Sequence, residues 1–121
     1  MGRSGDEVIR ALGAFGGGLG GNGQVCGALV GGLAAVGLKF SRGREEEKED
    51  PRMWAYAHEL FDRFREEIVK DHGGISCWEI VQVDWKDRDQ VKSFYSGDKR
   101  LECRRIVGEA AKLVGELLER T

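Results

Sequence analysis

The fold is decided by residues 15–40, which read FGGGLGGNGQVCGALVGGLAAVGLKF. No charged residue falls between Arg10 and Lys39. The stretch opens with a glycine-rich loop, Cys26 stands at the edge of the glycines, and small and aliphatic residues follow. This pattern predicts a buried central helix over residues 24–40, against which the charged and amphipathic remainder of the chain packs.

The predicted central helix carries small residues at four-residue spacing. Gly27 and Gly31 are four apart, as are Ala28 and Gly32, so each pair lies on one face, where a neighbouring helix can approach closely. Because glycine is a poor helix former, burial must stabilise this helix. We therefore expect replacement of Gly31 by Leu to overpack the contact at a cost of about 1–3 kcal/mol.

The composition indicates one small domain. The chain has 121 residues, a single proline and a formal net charge of −2, with acids and bases interspersed. This charge pattern argues against a nucleic-acid binder, which would show a concentrated basic face. The longest apolar run, residues 25–38, is shorter than the roughly 20 residues of a membrane span. The prediction is an all-α bundle of four to five helices around the central helix, one domain over residues 1–121 with a charged linker at residues 41–50.

Capping signals and amphipathic stripes predict the helices on either side of the centre. A first helix is predicted over residues 4–15, with Ser4 in a capping box. A third helix begins at Asp50 and Pro51 and ends at Gly73 or Gly74. The apolar stripes comprise Val8, Ile9, Leu12 and Phe15 in the first helix, and Trp54, Ala57, Phe61, Phe64 and Ile68 in the third.

Shorter signals mark the last third of the chain. Ser76 opens a second S-x-x-E pattern, which predicts a helical turn that starts at Cys77. A strand over residues 78–83 is the alternative, since several residues there are β-branched. A short helix over residues 87–94 and a last helix over residues 99–120 follow. The inward stripe of the last helix comprises Cys103, Val107, Ala110, Val114 and Leu117, with Ile106 and Leu113 beside it.

The glycine loop contains a literal G-x-G-x-x-G at Gly18, Gly20 and Gly23. A dinucleotide site requires a strand before this motif and a second strand after the helix, whereas the charged residues 41–50 follow here. The favoured interpretation is that the glycines let the chain turn and approach another backbone closely. No G-K-[ST] is present, so a phosphate-binding P-loop is not expected. The sequence also shows no hydrolase signature, because a Ser-His-Asp arrangement, a paired-carboxylate motif and H-E-x-x-H are all missing from it.

The three cysteines supply the candidate chemistry. Cys26 follows the glycine loop, Cys77 stands at a predicted helix start, and Cys103 faces inward. Taken singly, each is a common small core residue. If the three converge, their thiolates can bind a soft metal or an iron–sulfur cluster, or undergo thiol–disulfide exchange. Free N–H groups at the two helix starts are expected to lower the thiol pKa values.

Four features occur together in the order of a known family: F-G-G-G at residues 15–18, C-G-A-L-V-G at residues 26–31, G-I-S-C at residues 74–77, and an isolated cysteine in the last helix. The chain thereby resembles the redox-active family marked by a C-G-A-x-x-G motif and scattered cysteines (the C_GCAxxG_C_C type). The resemblance implies a small helical domain in which Cys26, Cys77 and Cys103 are redox thiols or metal ligands. The implied cofactor is an iron–sulfur cluster or another thiolate-bound metal.

The chain departs from the family pattern at one position. The family has a further cysteine upstream of the glycine loop, and no cysteine precedes Cys26 here. A three-thiol metal site would then take a water, His58, His72 or a residue of a partner as its fourth ligand.

The predicted function is that of a cysteine-based redox or metal-binding protein, an oxidoreductase or electron carrier with an unidentified redox partner. The sparse cysteines, with no C-x-x-C pair, fit the cytoplasm rather than a secreted disulfide framework. The alternative is a helical interaction module, a homodimer whose small-residue helix is the interface and whose cysteines are incidental.

Overall fold

The computed structural model describes residues 5–120. Within this range six α-helices are present, and they confirm the predicted all-α class. A 3₁₀ turn, Gly13–Phe15, extends α1, and a π-helical turn, Phe64–Ile68, extends α3. The helices are α1 (Asp6–Leu12), α2 (Gly27–Phe40), α3 (Arg52–Arg63), α4 (Cys77–Val81), α5 (Arg88–Ser96) and α6 (Lys99–Glu119).

Helix α2 packs against both α3 and α6. Its buried residues are spaced by three or four, so one side of the helix faces both neighbours. A Cβ on Gly32 would lie 3.0 Å from Cδ2 of Leu60 in α3 and 3.0 Å from Cγ2 of Val114 in α6. Side chains of α3 and α6 therefore come close to α2 at a position where α2 has no side chain. The buried residues of α2 are Leu29, Gly32, Val36 and Phe40.

The predicted tight contact at Gly31 is wrong. No atom lies within 4 Å of a Cβ built on Gly31. Each step along an α-helix turns the side chain by about 100°, and this step carries Gly31 away from α3 and α6 while Gly32 faces them. A side chain at position 31 therefore has room.

The start of α2 is three residues later than predicted. The helix begins at Gly27 because residues 24–26 are extended, and Val25 pairs with Ser76 in an isolated antiparallel β-bridge. This pairing ties the start of α2 to the start of α4, although the two lie some fifty residues apart in sequence. A contact between such distant segments leaves no periodic signal in either of them.

The predicted stripe of α3 is partly wrong. Trp54 is 56% exposed, and its indole N–H donates to the Glu49 carboxylate at 2.6 Å. Leu60, which the stripe omitted, is fully buried against Gly32 of α2. The helix leaves its α-helical geometry at the π turn Phe64–Ile68, before the glycines that were predicted to end it.

Helix α1 contributes no buried residue. Val8, Ile9 and Phe15 of its predicted apolar side are exposed, so the amphipathic pattern there does not mark a core face. The predicted cap, Ser4, lies outside the described residues.

The predicted inward stripe of α6 is confirmed except at one position. Val107 is 56% exposed, whereas Ile106 beside it is buried. Cys103 is half-buried and packs against the core, as its place on the inward stripe predicts. Along the stretch from residue 5 to residue 120, no helix is both long and apolar enough to cross a bilayer.

Two side-chain caps confirm the predicted helix starts in the last third. Ser76 Oγ accepts the N–H of Glu79 at 3.0 Å and donates to the Glu79 carboxylate at 2.8 Å. The segment that follows is therefore helix α4 rather than a strand. Asp87 caps α5 by accepting the N–H of Asp89 at 2.9 Å.

Candidate functional site

The glycine-rich loop, residues 16–23, packs its backbone against a cysteine. Gly18 has φ of +74°, and a Cβ there would lie 2.5 Å from the backbone nitrogen of Gln24 and 2.7 Å from Cβ of Cys77. Neither the left-handed backbone nor the space suits an L side chain. Glycine at this position is what lets the loop close on the cysteine.

The hydrogen bonds of the glycine loop are consistent with packing and not with phosphate binding. It follows a helix and a 3₁₀ turn, not a strand. The N–H of Gly20 donates to the carbonyl of Ala14 at 2.7 Å, and the N–H of Gly23 donates to the carbonyl of Gly17 at 3.0 Å. Because carbonyls of the loop and of the preceding 3₁₀ turn satisfy these donors, they do not point at a ligand as the amides of a nucleotide-binding loop do.

A short antiparallel pairing holds two cysteines side by side. Val25 and Ser76 face each other across the bridge. The backbone N–H groups of Cys26 and Cys77 each donate to a carbonyl of the opposite segment, at 2.9 and 2.6 Å. Cys26 and Cys77 directly follow the two bridged residues, so they are diagonal neighbours across the pairing.

Cys77 is buried, and an indole donor orients it. Nε1–H of Trp85 donates to Sγ of Cys77 at 3.4 Å. The Trp85 ring stands edge to face on Phe94, with centroids 4.9 Å apart, and a Cβ on Gly17 would lie 3.2 Å from it. The ring is thus fixed on two sides, and its N–H stabilises negative charge on the sulfur.

Cys26 occupies the N-cap position of α2. Burial raises the pKa of its thiol above the ordinary value. The backbone N–H groups of Ala28 and Leu29 act in the opposite direction, because they favour the thiolate, and a charge on Cys77 adds to the increase. The predicted lowering of the pKa by the helix start is wrong for Cys26, since loss of water around the sulfur outweighs the amide groups.

Cys103 approaches the other two thiols from α6. Burial above all, together with the charges of Cys77, Cys26 and Glu102, raises the pKa of Cys103 to about 11. Cys103 lies within α6 rather than at a helix start, so the expected effect of free N–H groups does not apply to it. Its thiol remains protonated at neutral pH.

All three cysteines line the same cavity, which has a volume of about 380 Å³. The glycine loop and Gly31 of α2 form part of its wall. Within the described residues no charged side chain lines it. Phe15 and Val107 in the lining are exposed, so the cavity opens to solvent. Its other apolar lining residues include Leu12, Ile80, Val81, Trp85, Phe94 and Ile106.

Neither histidine lies at the cavity. His58 is exposed beside Trp54, with ring centroids 6.5 Å apart. His72 Nε2 is 3.6 Å from Glu102 Oε1. In the part of the chain that the structure describes, no group of three or more His, Cys, Asp or Glu residues is arranged to hold a metal ion. The three thiols share a cavity but do not form a ready set of metal ligands.

The sequence patterns missed Trp85 as a member of the site. It follows Cys77 by eight residues and lies beyond the end of α4, so no helical spacing relates the two. The one available signal was the residue type, a large apolar ring with a single N–H that needs an acceptor when it is buried.

Comparison with known proteins assigns the chain to a family. The chain has no match among curated proteins or among solved structures. A family model described as "Putative redox-active protein (C_GCAxxG_C_C)" matches residues 1–117. Nearly the whole chain is covered, from the glycine loop through all three cysteines to α6. The chain belongs to this redox-active family.

Proposed function

We propose that the protein is a thiol–disulfide redox protein whose working pair is Cys26 and Cys77. The observation that supports this proposal is the bridge between Val25 and Ser76, which makes Cys26 and Cys77 diagonal neighbours on two paired segments, both at one cavity. Diagonal positions of an antiparallel pair lie about 7–8 Å apart, with the Cβ atoms somewhat closer. A disulfide spans Cα separations up to about 7 Å, so a small closing movement joins the sulfurs.

The two thiols differ in a way that suits sequential attack. Cys77 receives the indole N–H of Trp85, which stabilises a negative sulfur. Burial raises the pKa of the Cys26 thiol above its ordinary value. Because of its hydrogen bond from Trp85, we assign Cys77 as the attacking thiolate and Cys26 as the thiol that resolves the intermediate.

The reaction balances with a small test disulfide, such as oxidised dithiothreitol, as the acceptor. The Cys77 thiolate attacks one sulfur of the acceptor, the acceptor S–S bond breaks, and one thiolate leaves. Cys26 then loses its proton and attacks the Cys77 sulfur, which forms the Cys26–Cys77 disulfide and releases the second acceptor thiolate. Two electrons pass to the acceptor, and two protons follow them. In the reducing cytoplasm that the composition predicts, the pair rests as the dithiol.

A thiolate-bound metal or an iron–sulfur cluster is the other chemistry that the cysteines predict, and it is not part of this proposal. It requires three sulfurs at about 2.3 Å from one centre, and the described residues hold no such ligand group. Elemental analysis of anaerobically purified protein distinguishes a metal site from the dithiol. Stoichiometric iron or zinc lost on Cys103→Ser would favour the metal site over the dithiol.

A redox titration tests the dithiol. Reduced protein is equilibrated with dithiothreitol at several ratios of its reduced and oxidised forms, quenched with acid, and labelled with a thiol reagent of high mass. We expect a two-electron transition with a slope of about 30 mV per decade in the wild type and in Cys103→Ser. Cys26→Ser and Cys77→Ser are expected to lose it. A transition that survives either of those two substitutions and disappears in Cys103→Ser would refute the assignment.

A further inference from the structure

We propose that the cavity admits a neutral, apolar quinone, and that this quinone is the two-electron acceptor of the Cys26–Cys77 dithiol. The inference rests on the function proposed above and names its substrate class. It is carried by the chemistry of the cavity wall, which combines the thiols with aromatic and aliphatic side chains and, among the described residues, includes no charged group.

The lining selects against charged electron acceptors. Glutathione disulfide carries carboxylates and a nicotinamide dinucleotide carries phosphates. Either would have to leave water without meeting a cation in the wall of the cavity, and burial of an unpaired charge is strongly unfavourable. A quinone without charged substituents has two carbonyl oxygens as its polar atoms, so it loses far less hydration on entry.

The aromatic lining and the volume of the cavity suit a flat ring. Phe15, Trp85 and Phe94 lie in its lining, and aromatic side chains pack well against planar rings. The volume of about 380 Å³ falls within the range of about 300–1,000 Å³ typical of small-molecule sites. Phe15 is 38% exposed and Val107 is 56% exposed, so the ring can enter from solvent between them.

The reaction balances with the quinone alone. The two S–H bonds of Cys26 and Cys77 break and one S–S bond forms, which releases two electrons and two protons. Both electrons and both protons are taken up by the quinone, whose two carbonyl oxygens become the hydroxyl groups of the quinol. No further oxidant is needed.

Binding is tested first, without the redox step, in the Cys26→Ser/Cys77→Ser variant. The probe is tetramethyl-1,4-benzoquinone, which has no ring hydrogen and so does not alkylate thiols by addition. The indole N–H signals of the three tryptophans are followed by NMR. We expect a saturable shift of the Trp85 signal and no shift of the signal from Trp54, which lies outside the cavity. If the double variant does not fold, Cys26→Ala serves in its place.

Two controls separate binding in the cavity from adsorption to the surface. Gly31→Leu projects a side chain into the cavity where no atom lies within 4 Å, whereas Gly37→Leu adds the same side chain to the same helix outside it. We expect at least tenfold weaker binding in Gly31→Leu and unchanged binding in Gly37→Leu. The dianion anthraquinone-2,6-disulfonate is expected not to bind.

The redox step is tested anaerobically with reduced wild-type protein. We expect one quinol for each disulfide formed. Absence of a saturable Trp85 shift, equal binding in Gly31→Leu, or equal binding of the sulfonated quinone would overturn the inference. In those cases the dithiothreitol titration would still show the two-electron transition of the dithiol. Failure of the quinone inference is thus distinguishable from failure of the proposed function. Quinone binding without quinol formation would overturn the quinone as the acceptor.

Discussion

Adjacent glycines of α2 are expected to respond in opposite ways to the same substitution. A Cβ on Gly32 would already lie 3.0 Å from both Leu60 and Val114, and a leucine adds three further carbons in that direction. A Cβ on Gly31 meets nothing within 4 Å and points into the cavity. The pair Gly31→Leu and Gly32→Leu therefore compares an open site with a closed one in the same helix.

The difference between the two variants isolates the packing cost. Leucine is a better helix former than glycine by about 1 kcal/mol, and this gain is common to both variants and cancels. Overpacking a filled site costs about 1–3 kcal/mol, and the Leu60–Val114 contact leaves little room for relaxation. Gly31→Leu should thus be more stable than the wild type by about 1 kcal/mol. Gly32→Leu should unfold with a free energy about 1–3 kcal/mol below that of Gly31→Leu.

Urea unfolding followed by circular dichroism at 222 nm measures this difference. With a urea dependence of about 2 kcal/mol per molar, a 2 kcal/mol difference separates the two midpoints by about 1 M. Equal midpoints, or a lower midpoint for Gly31→Leu than for Gly32→Leu, would show that α2 faces its neighbours differently from the structure.

Three further predictions concern the cysteines and their supports. The pKa of Cys103 is about 11 in the folded protein, above its ordinary value of 9.0. The folded state therefore binds the thiol proton more tightly than the unfolded state does. The free energy of unfolding should then fall between about pH 9 and pH 11, and it should fall less in Cys103→Ala, as urea unfolding at each pH will show. Trp85→Phe removes the N–H donor to Cys77. It should slow iodoacetamide alkylation of that thiol about fivefold, which corresponds to about 1 kcal/mol. The control, Trp54→Phe, should leave the alkylation rate unchanged. Ser76→Ala removes the cap of α4 and should lower the free energy of unfolding by about 1 kcal/mol, and an unchanged urea midpoint would contradict the capping role.

Local signals in the sequence predicted the helices well. The cap at Ser76 depends on a residue three positions away, so the S-x-x-E pattern is visible in a short window. The apolar stripes predicted burial less reliably. Trp54 fits the spacing of α3 yet is exposed, whereas Leu60, which the stripe omitted, is buried. Which side of a helix faces the core depends on where its neighbours lie, and the spacing alone does not fix that.

The candidate site could be predicted in part. The sequence predicted that the cysteines lie together, and the structure places Cys26, Cys77 and Cys103 around one cavity, while their redox role stays a prediction. The pairing of Val25 with Ser76 and the hydrogen bond from Trp85 join segments that are distant in sequence or outside a regular element. Contacts of this kind depend on the assembled fold, so no local pattern indicates them.

Disulfide mapping tests the central claim most directly. Trypsin separates the three cysteines, because Cys26 lies in the peptide of residues 11–39, Cys77 in residues 71–86 and Cys103 in residues 101–104. Native reduced protein is oxidised, remaining thiols are blocked with iodoacetamide, and the digest is analysed by mass spectrometry. The predicted result is a link between Cys26 and Cys77 with Cys103 carrying the alkyl group. A link that includes Cys103, or three alkylated cysteines with no link, would contradict the account.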